Sequence, residues 1–139
     1  MRVVGIIPAR MGSSRFPDKP LALICGRPML EHVYRRAVLC RGLDAVVVAT
    51  PDEEIARRVR AFGGDVVMTA PTHERATDRV AEAALTTGGD IVVVIQGDEP
   101  LLQPEAISQV VAPVAEDAGV FCANLTERIR TVEELLSPN

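Results

Sequence analysis

The sequence predicts an α/β fold built on a doubly wound, mostly parallel, Rossmann-like sheet. Two observations lead to this prediction: short runs rich in β-branched residues recur along the chain, and segments with the apolar spacing of a helix separate them. The runs are apolar at every position rather than at alternate positions, which is typical of strands covered on both faces. Because parallel neighbours are joined by crossover helices, we expect right-handed β-α-β units along the chain.

Five strands are predicted, each bounded by Gly, Pro, Asp or Thr: residues 2–8, 45–50, 65–69, 90–95 and 119–124. Sheets of this class commonly have the strand order 3-2-1-4, which makes the first and fourth strands neighbours. The loops that follow these two strands would then face each other across a crevice at the carboxyl ends of the strands, where such sheets bind ligands.

The segments between the strands predict helices over 29–41, 52–62, 77–86 and 104–116, with a short helix near 131–136. In the first, apolar residues recur three and four positions apart from Met29 to Val38, and charged residues occupy the other face. The pair Gly63-Gly64 gives the second helix a clear end, and Pro104 suits the first turn of the fourth.

The composition indicates one domain, residues 1–139, of a cytoplasmic protein. Hydrophobic residues make up 47% of the chain but aromatic residues only 3%, so the core is expected to consist of Val, Ile, Leu and Ala. No apolar run reaches the roughly 20 residues of a membrane span, and the first residues lack the features of a signal peptide. The net charge of −4 argues against nucleic acid as a partner.

The three cysteines, Cys25, Cys40 and Cys122, form no CxxC pair and have no histidine cluster beside them. A zinc site and a disulfide framework are therefore not expected. We expect all three to be small residues that are buried or half-buried in the fold.

The loop after the first predicted strand, "IIPARMGSSRFPDKP" at 6–20, concentrates positive charge in an acidic protein. Gly12 and Ser13 permit close approach of backbone N–H groups to phosphate oxygens, and Arg10, Arg15 and Lys19 supply cations for them. The motif is neither a Walker A loop nor a dinucleotide-binding fingerprint. Two interpretations stay open: a site for a small polyanion, or a solvated loop whose cations balance acidic neighbours.

The loop after the fourth predicted strand, "QGDEP" at 96–100, carries carboxylates instead. Asp98 and Glu99 follow a buried strand, and a carboxylate at that position suits Mg²⁺, which prefers oxygen ligands shared with substrate phosphates. Capping and turn formation ahead of Pro100 and Pro104 are the alternative, and for Glu99 this alternative is as good. A cationic loop that faces a carboxylate loop favours a metal-bound polyphosphate.

Four motifs together resemble those of the 3-deoxy-manno-octulosonate cytidylyltransferases, or CMP-Kdo synthetases. They are R-x-x-S-S-R-x-P-x-K-P after the first strand, "VVVAT" before an acidic helix start, His73 followed by T-[DE]-R, and "QGDEP". The last is the most specific, because the related acylneuraminate cytidylyltransferases share the opening motif but otherwise resemble the chain less well. The resemblance implies a sheet of the nucleotide-diphospho-sugar transferase type.

The resemblance also implies a reaction in which a 2-keto-3-deoxy sugar acid attacks the α-phosphorus of CTP and pyrophosphate leaves, with Mg²⁺ as the cofactor. Catalytic roles would fall to Arg10, Lys19 and Asp98, with Asp98 as the metal ligand. Gln96 and Arg15 would contact the sugar. The residues implied to bind the nucleotide are Ala9, Arg10, Gly12, Ser13, Arg15, Lys19, His73, Thr77 and Arg79.

Two features depart from this family. "HERATDR" at 73–79 has Arg75-Ala76 where the family usually has a small Ser-Gly pair, which bears on the choice of base. The chain also has about half the usual length, so it resembles a truncated member. Three interpretations stay open: a short relative, a fragment, or a chain that works as a homodimer or with a complementing polypeptide. A catalytically incomplete nucleotide-binding subunit or fragment is the alternative function.

Four other residues have structural interpretations. His32 lies in a predicted helix, and Tyr34 is expected to pack against the sheet rather than stack on a base. Asp78 and Glu82, four positions apart, are expected on a solvated helix face. For His73, an ordinary surface histidine is the alternative to a place near the nucleotide.

Overall fold

The computed structural model describes residues 1–12 and 15–137. Its strands are β1 (Val3–Pro8), β2 (Leu23–Ile24), β3 (Arg27–Pro28), β4 (Ala45–Thr50), β5 (Asp65–Met68) and β6 (Ile91–Val94). Its helices are α1 (Met29–Val38), α2 (Glu53–Ala61), α3 (Ala76–Thr87), α4 (Pro104–Glu116) and α5 (Val132–Leu136), with one 3₁₀ turn at Lys19–Leu21.

Four strands form a parallel sheet in the order β5-β4-β1-β6. Strand β1 lies between β4 and β6, with Gly5 opposite Val46 on one side and Val93 on the other. The predicted 3-2-1-4 order and the prediction of a doubly wound α/β sheet are therefore confirmed. The carboxyl ends of β1 and β6 are adjacent as a direct result.

The core lies on both faces of this sheet. Helices α1, α2 and α4 cover one face, where Leu30, Ile55 and Ile107 pack on alternate residues of the strands such as Ile7 and Val48. Helix α3 covers the other face, where Val80 and Ala83 pack on Val4 and Ile6 among others. Both faces of β1 and β4 are buried, which explains why their sequences are apolar at every position.

The predicted strand at 119–124 is wrong. Residues 118–130 contain no helix or strand, and the Phe121 side chain is 93% exposed. A strand forms only where a neighbour accepts its hydrogen bonds, and within the described chain β6 pairs with β1 alone. The apolar character of 119–124 gave the right composition for a strand but no information about its partner.

Local structure also departs from the sequence prediction in smaller ways. The short antiparallel hairpin of β2 and β3 lies in a segment for which no element was predicted. Helix α1 ends at Val38 rather than 41, whereas α4 begins at Pro104 as expected. Such shifts at helix ends are common because the last turn is held only by its own hydrogen bonds.

The cysteines differ from one another in exposure. Cys40 is buried and its Sγ lies 3.3 Å from Ser108 Oγ, whereas Cys25 and Cys122 are exposed, so the expected burial is wrong for these two. Cys25 occupies the turn between β2 and β3 with a positive φ of 51°, and Cys122 lies in the irregular segment after α4. At neither position is there a hydrophobic core in which the cysteine side chain could be buried.

Tyr34 and His32 have structural contacts. The Tyr34 hydroxyl donates to the Val46 carbonyl at 3.2 Å and accepts the Asp65 N–H at 3.0 Å. Its ring packs on Phe62 with centroids 5.4 Å apart and against the core that covers the sheet, so together with the bond to Val46 of β4 the expected packing against the sheet is confirmed. His32 Nε2 lies 2.7 Å from the Ile24 carbonyl oxygen, which attaches α1 to the hairpin. Across residues 1–12 and 15–137, no helix is long and apolar enough to cross a membrane.

The buried contacts of α1 lead to a first prediction. Leu30 is 1% exposed and packs against the sheet, whereas Leu39, at the end of the same helix, is 69% exposed. We expect Leu30→Ala to lower the free energy of unfolding by about 2–5 kcal/mol, because truncation of this buried side chain leaves a cavity in the core. Leu39→Ala should change it by less than about 0.5 kcal/mol. Urea denaturation measures both, and equal losses in the two variants would contradict this account of the core.

Candidate active site

The loop that follows β1 is held at its start by the neighbouring strand and helix. The Ala9 N–H donates to the Ala49 carbonyl at 2.9 Å, and the Met11 N–H donates to Asp52 Oδ2 at 2.7 Å. Asp52 precedes α2, and its own N–H donates to Thr50 Oγ1 at 3.1 Å. Arg10 is thereby fixed between two anchored residues, at the carboxyl end of β1.

Asp52 is a site residue that the sequence analysis missed. An acidic residue before a helix normally predicts a cap, but the Asp52 side chain makes no capping hydrogen bond to α2. It binds the loop after β1 instead. The only signal in the sequence was the "acidic helix start" after "VVVAT", which does not reveal a contact 41 residues away.

Lys19 enters the site through the 3₁₀ turn Lys19–Leu21. The Leu21 N–H donates to the Asp18 carbonyl at 2.9 Å and the Ala22 N–H to the Lys19 carbonyl at 3.1 Å, which fixes the backbone of this turn. The Nζ atom of Lys19 lies 3.1 Å from Asp98 Oδ2. Lys19 is the only lysine in the chain, beside fourteen arginines.

The loop after β6 approaches β1 closely enough to bring Asp98 to Lys19. The Ile95 N–H donates to the Ile6 carbonyl at 2.9 Å, so the two strands stay paired up to the start of the loop. A Cβ on Gly97 would lie 3.2 Å from the Pro8 carbonyl oxygen, which is tighter than most side chains tolerate. Glycine at 97 therefore permits the close packing that places Asp98 opposite the basic loop.

A cavity of about 180 Å³ lies between the two loops, where the sequence predicted a crevice. Its walls come from the carboxyl end of β1, the 3₁₀ turn, the first residues of α1 and α3, and the loop after β6. The lining residues are Pro8, Ala9, Arg10, Lys19, Pro20, Met29, Ala76, Gln96, Gly97 and Asp98. Both signs of charge thus face one small volume.

A second cavity of about 180 Å³ adjoins the first. The two share the walls formed by Pro8, Ala9, Arg10 and Ala76, and the second adds Glu74 and Arg79. Two arginines therefore line this second cavity. Each cavity alone is smaller than the roughly 300–1,000 Å³ of common ligand pockets, so an extended ligand would need both.

Arg79 is a buried cation in the wall of the second cavity, with 3% of its surface exposed. Its Nε donates to Thr69 Oγ1 at 3.2 Å, and its Nη2 to the His73 carbonyl at 3.5 Å. Burial, and then repulsion from Arg10, lower the pKa of Arg79, while Asp52 and Glu82 act in the opposite direction. The guanidinium remains charged, and an anion bound between the two arginines would relieve their repulsion.

Asp78 is exposed as expected, and Glu82 also lies outside the core, with 38% of its side chain exposed. The helical spacing did not show, however, that Glu82 binds the loop before its own helix. The Glu82 carboxylate accepts the Ala70 N–H at 3.0 and 3.2 Å and contacts His73 Nε2. The hydrogen bonds from His73 and Ala70 lower the pKa of Glu82. The helical spacing of α3 predicts this residue outside the core, but the loop before the helix folds back over it.

The cavities contain six of the residues that the sequence analysis proposed. Ala9, Arg10, Lys19, Gln96 and Asp98 line the first, and Arg79 joins Ala9 and Arg10 in the second. Gly12, Arg15, His73 and Thr77 line neither, and Ser13 lies outside the described residues. Glu99 lines neither cavity; its carbonyl accepts the Leu102 N–H at 3.0 Å, as in the turn-forming interpretation.

The ion pair between Lys19 and Asp98 is partly open to solvent, with the side chains 41% and 52% exposed. Exposed pairs of this kind contribute about 0–1 kcal/mol, so little is lost when the two charges exchange partners. Lys19 could turn to a phosphate and Asp98 to a cation. Within the described residues no three His, Cys, Asp or Glu side chains form a metal-binding group, so a cation here would need phosphate oxygens as well. This donor set fits Mg²⁺.

Comparison with known proteins agrees with this geometry. A protein-family model described as cytidylyltransferase matches residues 4–139. The chain belongs to the cytidylyltransferase family. Within it, the 3-deoxy-manno-octulosonate cytidylyltransferase of Geobacter sulfurreducens is 51% identical over 139 residues, which are 100% of this chain and 56% of the relative. The corresponding protein of Desulfatibacillum aliphaticivorans is 48% identical over 141 residues, covering 99% of this chain and 58% of its own.

Two solved structures show the same fold. The structure of CMP:2-keto-3-deoxy-manno-octonic acid synthetase complexed with CTP is 42% identical and superposes with a TM-score of 0.84 over 86% of this chain and 50% of that one. A cytidylyltransferase from Leptospira borgpetersenii, 27% identical, gives 0.75 over 86% of this chain and 51% of its own. The chain therefore spans about half the length of the cytidylyltransferases it matches and resembles the 3-deoxy-manno-octulosonate members throughout that span.

The bond from Met11 to Asp52 leads to a second prediction. We expect Asp52→Ala to raise the hydrogen-exchange rate of the Met11 amide at least about tenfold, because hydrogen bonds to charged groups contribute about 1.5–3 kcal/mol. Asp52→Asn keeps an acceptor oxygen at the same position and should keep most of the protection. Exchange followed by NMR measures both variants, and an unchanged Met11 rate in Asp52→Ala would show that the loop is held by something else.

The lowered pKa of Glu82 predicts a pH dependence of stability. An unfolded glutamate titrates near 4.3, so the contacts of the ionised Glu82 stabilise the fold above that pH and are lost as the pH falls through its lower folded value. At pH 7 we expect the unmodified chain to have a larger free energy of unfolding than Glu82→Gln. The difference between the two free energies should become smaller as the pH is lowered from about 5 to 3. Urea denaturation at constant ionic strength tests this. A gap that is the same at both ends of the range would contradict it.

Proposed function

We propose that this chain forms the nucleotide-binding part of a cytidylyltransferase that joins CMP from CTP to a 2-keto-3-deoxy sugar acid of the Kdo type. The observation that carries the proposal is the approach of Lys19 Nζ to Asp98 Oδ2, 3.1 Å apart in a cavity at the carboxyl ends of β1 and β6. A metal-bound triphosphate needs one group of each charge within reach, and this pair supplies both.

The comparisons support the choice of substrates. Relatives that match the whole of this chain at about 50% sequence identity are named 3-deoxy-manno-octulosonate cytidylyltransferases. A similar solved structure is described as complexed with CTP. The two adjoining cavities suit an extended ligand of that kind. We propose that the triphosphate binds in the first cavity, between Lys19 and Asp98, and that the nucleoside extends toward the second, beside Arg79.

In the proposed reaction, the anomeric hydroxyl oxygen of the sugar acid forms a bond to the α-phosphorus of CTP, and the hydroxyl proton passes to solvent. The bond between the α-phosphorus and the oxygen bridging to the β-phosphate breaks, and pyrophosphate leaves with the electron pair. Negative charge increases on the leaving group, so cations placed before the reaction lower the barrier. Arg10 and Lys19, which line the same cavity, fill this role, and Arg15 follows in the same loop.

Asp98 is the residue that would hold Mg²⁺, with phosphate oxygens completing the coordination. When bound, the metal supplies further charge neutralisation to the phosphates. Gln96 lines the cavity beside Asp98, and we propose that its amide contacts the sugar acid. The remaining nucleotide-binding roles proposed for Gly12, Ser13, His73 and Thr77 are predictions that depend on the bound form of the loops.

A catalytically silent nucleotide-binding subunit is the second candidate. It is favoured by the lining of the first cavity, because Gln96 and Asp98 are the polar side chains that the described part of the loop after β6 supplies beside the proposed sugar position. A second copy of the chain or a complementing polypeptide would complete the site. Release of pyrophosphate from CTP and Kdo distinguishes the candidates, since only the enzyme produces it. A cytoplasmic location stays a prediction.

The proposal predicts that CTP binding requires both members of the ion pair. We expect Lys19→Ala and Asp98→Asn each to weaken Mg²⁺-dependent CTP binding at least about tenfold, or 1.4 kcal/mol, because each removes a charge that faces the triphosphate. Isothermal titration calorimetry with CTP, with and without Mg²⁺, measures the change.

Matched variants at exposed positions test whether charge alone explains the loss. Arg57→Ala removes a cation from the outer face of α2, and Asp65→Asn removes a carboxylate at the amino end of β5, away from the cavity. Both should leave the affinity for CTP within about twofold of the unmodified chain. Unchanged affinity in both cavity variants, or equal losses in the controls, would remove the proposed nucleotide site.

A further inference from the structure

The loop between β5 and α3, residues 69–75, has little support of its own. Its first residue continues the sheet, since the Thr69 N–H donates to the Thr50 carbonyl at 3.0 Å. The other hydrogen bonds that attach residues 69–73 to the rest of the described chain come from two side chains of α3, Arg79 and Glu82. These two residues are three positions apart and so lie on the same side of the helix.

Glu82 spans most of this loop with a single carboxylate. Both of its oxygens accept the Ala70 N–H, and Oε2 also contacts His73 Nε2. Arg79 adds two more links, through Thr69 Oγ1 and the His73 carbonyl. The loop is thus fixed at its start and middle to a helix that is itself packed against the sheet through Val80 and Ala83.

The fixed loop forms part of the wall of the second cavity. Glu74 lies in the loop and Ala76 follows it, and both line the cavity together with Arg10 and Arg79. Ala76 also lines the first cavity. A shift of the 69–75 loop would therefore change the shape of both cavities without touching Arg10, Lys19 or Asp98.

We propose that Glu82 is a positioning residue for the nucleotide site: through Ala70 and His73 it holds the 69–75 loop so that Glu74 and Ala76 keep the wall of the second cavity in place. The functional consequence rests on the proposed binding of CTP. Glu82 itself does not line either cavity, so it acts through the loop rather than on the ligand.

The Glu82 carboxylate and the Arg79 guanidinium also attract each other, and each stabilises the ionised form of the other. Substitutions at Glu82 can separate the effect of its hydrogen bonds to the loop from the effect of its charge. Glu82→Gln keeps a carbonyl oxygen for the Ala70 N–H and an amide for His73 but removes the charge, whereas Glu82→Ala removes both. A positioning role predicts that the Gln variant retains function and the Ala variant loses it.

Two measurements on the same variants test the proposal: hydrogen exchange of the Ala70 amide by NMR, and calorimetric titration with CTP and Mg²⁺. We expect Glu82→Ala to raise both the exchange rate and the Kd for CTP at least about tenfold, and Glu82→Gln to stay within about threefold of the unmodified chain in both. Asp78→Ala is the matched control, since it removes an exposed carboxylate from the same helix and should change neither.

Thermal melting separates loop movement from unfolding. If Glu82→Ala does not fold, Glu82→Asp replaces it, because the shorter side chain keeps the charge but draws the carboxylate away from Ala70 and His73. We then expect a smaller rise in the Kd for CTP, about threefold.

Three outcomes would overturn the proposal. The first is an Ala variant with fast Ala70 exchange but unchanged CTP affinity, which would separate the loop from the nucleotide. The second is a Gln variant that loses as much affinity as the Ala variant, which would make charge the cause. The third is equal Ala70 exchange in all variants. If the unmodified chain binds no CTP, the proposed function fails, and the exchange measurements still decide whether Glu82 holds the loop.

Discussion

The parallel pairing of β1 with both β4 and β6 is the constraint on which the rest of the structure depends. Parallel strands end at the same edge of the sheet, so the residues that follow β1 and β6 meet there although they are about 80 positions apart in the chain. Pairing with β4 adds Asp52, which binds the same loop. Arg10 and Asp98 lie in the loops that directly follow β1 and β6, so the pairing of these strands brings the two charges to one cavity.

The parts of the fold that could be predicted are those whose cause is local. Runs such as "AVVVAT" are apolar at every position because both of their faces are buried, and helical spacing identified the helices that bury them. The segment 119–124 has a similar composition but remains irregular, because its state depends on a neighbouring strand that the described chain lacks. Strand pairing depends on two segments of the chain, whereas the amino-acid composition of one segment carries no information about its partner.

The same division applies to the site. Lys19 and Asp98 were predictable because unusual charge follows two strands whose order is a common one. Asp52 and Glu82 were not, since helix periodicity assigns the first to a cap and the second to a solvated face. Both acids instead accept backbone N–H groups of loops that fold over their helices. Only the path of those loops in space reveals this use of an acidic side chain.

The 139 residues contain a single lysine, which gives this chain an unusual site for chemical labelling. Amine-reactive reagents can modify only Lys19 and the amino terminus, since arginine supplies every other cation of the chain. The ammonium group of Lys19 lines the first cavity and is partly exposed, so a reagent that reaches it reports directly on whether that cavity is filled. The rate of covalent labelling at Lys19 Nζ thus reports whether a ligand fills the first cavity, and the rate at the terminal amine serves as an internal reference.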